Sequence, residues 1–263
     1  MTIRKLVSVA AALATAFGVG MARAEGAPAD STLDSVMKSG VLRACTPGDY
    51  KPFSFLKPDG SYEGIDIELA QSLATAIGAK LELVKTSWAN LLPDFAAGKC
   101  DIGIGGISVT TERQKRVFFS TAYMVNGKTP LVRCEDVKRF QTIADIDKAG
   151  VRVIANPGGS NEKFARANFK TATLTIHADN LTIFDEIAAK RADVFVTEAA
   201  EALTQQKLHP GLCAVNPDAP LQYGEMAYPL PRGDVAMKAF VDQWLHLAKA
   251  TGEYQKTVDK WLH

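Results

Sequence analysis

Apolar positions along the chain follow two rhythms. Leu69, Ala70, Leu73, Ala74 and Ile77 recur every three or four residues. That spacing predicts an amphipathic helix after Gly64-Ile65-Asp66, stopped by Gly78. Short apolar runs at Val41–Cys45, Lys80–Val84 and Asp101–Ile104 predict strands. A helix over Leu33–Ser39 ends at Gly40, and Asp59-Gly60 marks a hairpin turn. Trp88–Ala97 predicts another helix with Leu91, Leu92 and Phe95 inward, although Pro93 blurs its start. The order then repeats. Val151–Ile154, Thr173–Ile176 and Asp193–Val196 predict strands, and Glu162–Asn168, Leu181–Lys190 and Glu198–Lys207 predict helices. Val235–Leu262 is mainly helical, with Phe240, Trp244 and Leu247 on one stripe.

Strand, helix, strand, helix, strand, twice over, is the pattern of two α/β units with mainly parallel sheets. Such sheets bind ligands beyond the carboxyl ends of their strands. Two units facing each other place a small-molecule site in the cleft between them.

The N-terminus has a different character. Arg4 and Lys5 precede an uncharged apolar run from Leu6 to Met21, and Ala22-Arg23-Ala24 follows. This predicts a signal peptide over residues 1–24, cleaved near Ala24, and a periplasmic protein. The run is about 16 residues, short of the roughly 20 that span a bilayer, so no membrane association is expected of the mature chain. The full chain carries a net charge of +1, and Arg4, Lys5 and Arg23 supply three positive charges. The mature chain therefore stands near −2, which argues against a nucleic-acid partner. Cys45, Cys100, Cys134 and Cys213 have no metal-type spacing, so no metal site is expected. An oxidising compartment and membership of one unit predict a Cys134–Cys213 bond. Cys45 and Cys100 are left open, as a second bond or as two buried thiols.

The loops at the strand ends carry Gly48-Asp49-Tyr50-Lys51-Pro52-Phe53, Gly64-Ile65-Asp66, Gly106-Ile107-Ser108 and Thr111-Glu112-Arg113. These resemble the bacterial extracellular solute-binding proteins of family 3, over essentially the whole mature chain. The resemblance implies a type II periplasmic-binding-protein-like α/β fold. Residues 25–128 and 226–263 would form a discontinuous first lobe, and residues 129–225 the second. Further segments are similar to the cyclohexadienyl dehydratase branch. They include Thr86-Ser87-Trp88, Asn126 to Pro130, Leu208-His209-Pro210, Ala227 to Arg232 and Asp242 to His246. The longest runs from Asn156 to Asn168. The branch implies an enzyme that converts prephenate to phenylpyruvate, or arogenate to phenylalanine, by loss of water and carbon dioxide. An amino-acid receptor of an ABC transporter is the alternative on the same fold. No cofactor is required, because aromatisation drives the reaction. The oligomeric state is open, a homo-oligomer included.

Hydroxide is a poor leaving group, so the reaction needs an acid still protonated near neutral pH. The resemblance gives that role to Glu201. Glu198, three residues earlier, stands where receptors carry an Asp for the ligand's ammonium group. Both would share a face at a helix start, where acids are common in any case. A substrate with two carboxylates calls for cations. The resemblance makes Arg113, after the Gly106 to Ser108 loop, a carboxylate clamp. Lys128 would meet the second carboxylate or sit as a solvated hinge lysine. Backbone N–H groups from Asn156 to Ser160 precede a helix and could hold an anion. Trp88 would either cover the substrate ring or pack in a core. Asp49 and Tyr50 belong to a loop that closes on ligand, and Asp49 could instead support another site residue.

Overall fold

The computed structural model describes residues 31–262. The leader reading at Met1 to Ala24 lies outside the described residues. Strand Val41–Thr46 is the centre of the first sheet, with Lys80–Lys85 parallel on one side and Ile102–Gly103 parallel on the other. Helix Ile65–Ile77 buries Ile65, Leu69, Ala70, Leu73 and Ala74 against it and ends at Gly78, whose φ is 82°. The predicted C-terminal helix is two, Val235–Ala250 and Glu253–Leu262, broken at Thr251 and Gly252. Met237, Val241, Trp244 and Leu245 join Leu42, Leu69 and Leu73 in one core. Phe240 packs against that core, whereas Leu247 is exposed, so the predicted stripe is off by part of a turn.

The second sheet runs Thr173–Ile176, Arg152–Ala155, Val194–Glu198, Met124–Arg133, Leu212–Ala214, and Gln222–Met226 also pairs with Met124–Arg133. The first three are parallel and the long strand is antiparallel to its neighbours. Val194 and Val196 point into one core with Val132 and Phe164, while Phe195 points into another with Ile183 and Phe184. Burial on both faces explains the near-continuous apolar run.

Strand Met124–Arg133 was not among the elements expected from sequence. Gly127, Lys128 and Pro130 interrupt its pattern, and proline cannot donate to a ladder. It nevertheless passes from the first core, where Met124 packs, to the second, where Leu131 and Val132 are buried. The helix expected over Trp88–Ala97 covers only Leu91–Ala96. Pro93 sits in its first turn, and Trp88 lies in the preceding turn. Leu181–Lys190 divides into a 3-10 turn, Asn180–Thr182, and helix Ile183–Ala188. Both cysteine pairs are disulfides, Cys134–Cys213 and Cys45–Cys100.

Gly64 has φ 134°, and a Cβ there would lie 2.4 Å from the Phe53 carbonyl oxygen. The amides of Ile65 and Asp66 donate to the Pro52 and Phe53 carbonyls beneath it. The conformation is open in practice only to glycine. Gly64→Ala is expected to lower the unfolding free energy by about 3 kcal/mol, read from urea melts of the two proteins.

Candidate active site

The first wall begins with the buried Asp66 carboxylate. Its Oδ2 accepts from the amides of Gly105 and Gly106, both at 2.7 Å, and from the Tyr123 hydroxyl at 2.9 Å. Tyr228 donates to Oδ1 at 3.4 Å. Burial pushes the Asp66 pKa up to about 6, with the four donors pulling the other way. The held loop brings Gly106, φ 72°, under Tyr50, where a Cβ would lie 2.6 Å from the ring. Gly106 thus contributes close approach to the cleft, because its N–H is already engaged. Tyr50 meets Trp88 edge-on, ring centres 5.4 Å apart, and Trp88 Nε1 donates to Asp49 Oδ1 at 3.0 Å. Burial raises the Asp49 pKa, opposed by the Trp88 bond. Asp49 is thus tied to Trp88 on the same wall of the cleft.

The facing wall is the end of strand Val194–Glu198 with helices Ser160–Asn168 and Ala199–Leu208. Lys128 Nζ donates to Glu198 Oε1 at 2.8 Å, Ser160 Oγ at 2.9 Å and Asn161 Oδ1 at 2.5 Å. Lys128 is buried and all three of its protons are placed, so it is not a solvated hinge lysine. Glu198 Oε1 also accepts from Ser108 Oγ, at 2.7 Å, across the cleft. Glu198 and Glu201 stand at the N-cap and in the first turn of one helix. Glu198 ends the strand, and Glu201 lies in the first turn of the following helix. Thr197 Oγ1 donates to Glu201 Oε2. Glu201 Oε1 is buried without a hydrogen-bond partner among the described residues. Burial raises the Glu201 pKa well above the usual carboxylate value. Asp49 and Glu198 push it the same way, while Thr197 and Lys128 oppose.

A cavity of only about 10 Å³, room for about one water, is left between the walls. Tyr50, Trp88, Gly106 and Ser108 line it from one side, and Asn156, Gly159, Ser160 and Asn161 from the other. The cleft is shut around it. Asn180 Nδ2 donates to the Asp49 carbonyl at 2.9 Å, and Lys163 pairs with Glu112 at 2.8 Å. Arg113 is buried, not a surface arginine, and its Nη1 donates to the Ser108 carbonyl at 2.8 Å. Burial lowers its pKa, countered by Glu198 and Glu112. The expected anion cradle is partly filled, since Gly158 N–H donates to Glu162 Oε2 at 2.6 Å. The helix also starts at Ser160, two residues before its expected start. Tyr50, though noted in the closing loop, and Asn161, inside the Asn156 to Asn168 run, were not singled out as site residues. Thr197 carried no signal. No group of three His, Cys, Asp or Glu is placed to hold a metal among the described residues.

The sequence profile of the bacterial extracellular solute-binding proteins, family 3, matches residues 42–263. The chain belongs to this family. It is 48% identical to the cyclohexadienyl dehydratase of Pseudomonas aeruginosa, over 99% of this chain and 95% of the relative. It is 26% identical to the L-cystine-binding protein TcyJ of Escherichia coli, over 89% and 86% of the two chains. A crystal structure of an ancestral cyclohexadienyl dehydratase shares 50% identity, with a TM-score of 0.57, over 89% of this chain and 97% of that one. An ancestral amino-acid-binding protein, described as a precursor of that enzyme, shares 35% identity with a TM-score of 0.82, over 89% and 100%. Family and fold are thus those of two-lobed solute-binding proteins. No helix among the described residues is long and apolar enough to cross a membrane.

The raised pKa of Glu201 makes a stability prediction. The folded protein holds this proton at pH values where the unfolded chain has released it, so folding gains its benefit at low pH. That contribution is lost as pH rises through the raised folded-state pKa. Relative to Glu201→Gln, the parent is expected to lose melting temperature as pH rises from about 5 to 9. Parallel melting curves across that range would remove the buried acid.

Proposed function

We propose that this chain is a periplasmic dehydratase that converts prephenate to phenylpyruvate with loss of water and carbon dioxide. The observation that carries it is Glu201, a buried carboxyl with a raised pKa and one unpartnered oxygen, in the first turn of the helix that follows Glu198. Its likeness to a cyclohexadienyl dehydratase over nearly the full chain supports the same reading. Glu201 delivers its proton to the ring hydroxyl, which departs as water. The bond to the ring carboxylate breaks, its electron pair closes the aromatic ring, and carbon dioxide leaves. Glu201 is then reprotonated from solvent. Shutting the cleft excludes water, which keeps the acid protonated and strengthens every charge interaction inside.

Arg113 is the cation that clamps one carboxylate, and Lys128 would meet the second only by giving up one of its bonds to Glu198, Ser160 or Asn161, with Ser108, Asn156, Ser160 and Gly106 shaping the pocket and Trp88 covering the ring. Asp49 acts through Trp88. Glu198 separates the candidate substrates. Its charge is already matched by Lys128, which with Ser108 sits on Oε1, so an ammonium group would bring a second cation to one carboxylate. Prephenate has none, and arogenate has one. The same pairing disfavours an amino-acid receptor, which needs a free acid for its ligand's ammonium and has no use for a protonated Glu201. The lobes are taken as residues 25–128 with 226–263, and 129–225, with the boundary residue Lys128 paired to the second sheet through Glu198. Their separate cores support that division.

The purified protein is expected to turn over prephenate at neutral pH, with a higher kcat/KM than for arogenate. Glu201→Gln should lower kcat about 10²- to 10⁴-fold while the protein stays folded. Tight binding of an amino acid without turnover would establish the receptor instead. Arg113→Met is expected to raise KM more than it lowers kcat, since its contact with a carboxylate is kept throughout the reaction.

A further inference from the structure

Asn161 stands between the Lys128 ammonium and the Glu201 acid. Its Oδ1 accepts from Lys128 Nζ at 2.5 Å, and its Nδ2 donates to Thr197 Oγ1 at 3.1 Å and to Asn156 Oδ1 at 3.3 Å. Thr197 Oγ1 in turn donates to Glu201 Oε2. The directions along this chain follow from its two ends. An ammonium can only donate, so the amide must turn its oxygen to Lys128 and its N–H groups to the far side. The Thr197 oxygen therefore meets a donor at Asn161, and its own proton has no acceptor there. A carboxylate can only accept. Once Glu201 has given up its proton, the Thr197 contact is a donation to Glu201 Oε2, strengthened by the charge it meets.

We propose that Asn161 is a positioning residue: its amide, oriented by Lys128, keeps the Thr197 hydroxyl aimed at Glu201 and so sets how readily Glu201 releases its proton. Asn161 lies in the first turn of helix Ser160–Asn168, Thr197 on strand Val194–Glu198, and Glu201 in the first turn of helix Ala199–Leu208. All three belong to the second lobe, so the chain does not depend on contact across the cleft. All three are buried, as is Lys128, and each bond acts at low local dielectric. The two ends of the Asn161 side chain do different work. Replacing it by Asp turns the end that faces Thr197 into an acceptor, and the Thr197 proton swings from Glu201 to it. Replacing it by Leu makes that end apolar, and the hydroxyl keeps its proton but loses the donor that directs it.

The test reads the Glu201 titration from the infrared carbonyl band of its protonated form, identified in each protein by its loss with Glu201→Gln. The quantity compared is the shift that Thr197→Val makes in three backgrounds: the parent, Asn161→Leu and Asn161→Asp. In the parent, Thr197→Val removes a bond that favours the carboxylate, so the titration should move up by about one pH unit. The same change should move it less in Asn161→Leu, and hardly at all in Asn161→Asp, where the hydroxyl has already turned away. The negative charge added by Asn161→Asp acts with or without the hydroxyl, so it cancels in this comparison. The other groups that face Glu201 are Asp49 and Tyr50 from the first lobe and Lys128 and Glu198 beside it, and they are the same in every protein. An equal shift in all three backgrounds, or no shift in the parent, overturns the proposal. If Asn161→Asp does not fold, the parent and Asn161→Leu decide, and equal shifts in those two overturn it. The activity arm rests on the dehydratase reading. There the alkaline limb of the kcat profile should lie at higher pH in Asn161→Asp than in the parent, and adding Thr197→Val should move it no further. If the parent shows no turnover, the dehydratase reading fails and the infrared titration alone decides.

Discussion

The Asp66 carboxylate is the fixed point of the first lobe's contribution to the cleft. Two backbone amides and two tyrosine hydroxyls converge on it. The amides belong to Gly105 and Gly106, which leave the sheet in conformations unsuited to side chains. Without the carboxylate that loop would have two buried donors and nothing to hold them. Because it is held, Ser108 arrives at Glu198 and Arg113 at the Ser108 carbonyl. Tyr123 and Tyr228 stack on each other and bind the same anion, and Tyr254 of the last helix donates to the Tyr123 carbonyl. The returning C-terminal helices are in this way part of the support for a loop far from them in sequence.

The opposite wall depends on a separation of two nearby acids. Glu198 has the Lys128 ammonium and the Ser108 hydroxyl on one oxygen. Glu201, three residues on, has only a threonine hydroxyl and apolar burial. Environment divides the pair, with one acid matched to a cation and the other pushed toward its neutral form. Position in secondary structure achieves this. Glu198 is the last residue of a strand and meets Lys128 and Ser108, whereas Glu201 lies in the first turn of the following helix.

The two parallel units and the long amphipathic helix were legible in the sequence, because burial on one or both faces leaves a periodic trace. Asp66, Arg113 and Glu201 stood in recognisable segments. The strand Met124–Arg133 was not legible, since its pairing is decided by Val194–Glu198 and Gln222–Met226, both distant in sequence. Lys128 could not be told from a solvated lysine for the same reason: its three acceptors come from two distant segments, Ser160-Asn161 and Glu198. Thr197 is an ordinary strand threonine until Asn161 and Glu201 are brought to it. Local pattern reports what a residue buries, and it is silent on polar partners supplied by tertiary contact.

The ladder that joins the lobes has a mechanical consequence. Met124–Arg133 is paired with Gln222–Met226 on one side and Val194–Glu198 on another, and Glu198 lies directly opposite Lys128. A hydrogen-bonded ribbon flexes far more readily than it stretches or slides. The lysine and the glutamate therefore ride together on one body, at constant separation, however far the jaws swing. Ser108 rides on the other body. Each opening stroke disconnects the hydroxyl and leaves the ion pair intact, so the moving half brings Ser108 and Arg113 to a lysine–glutamate pair that is already assembled.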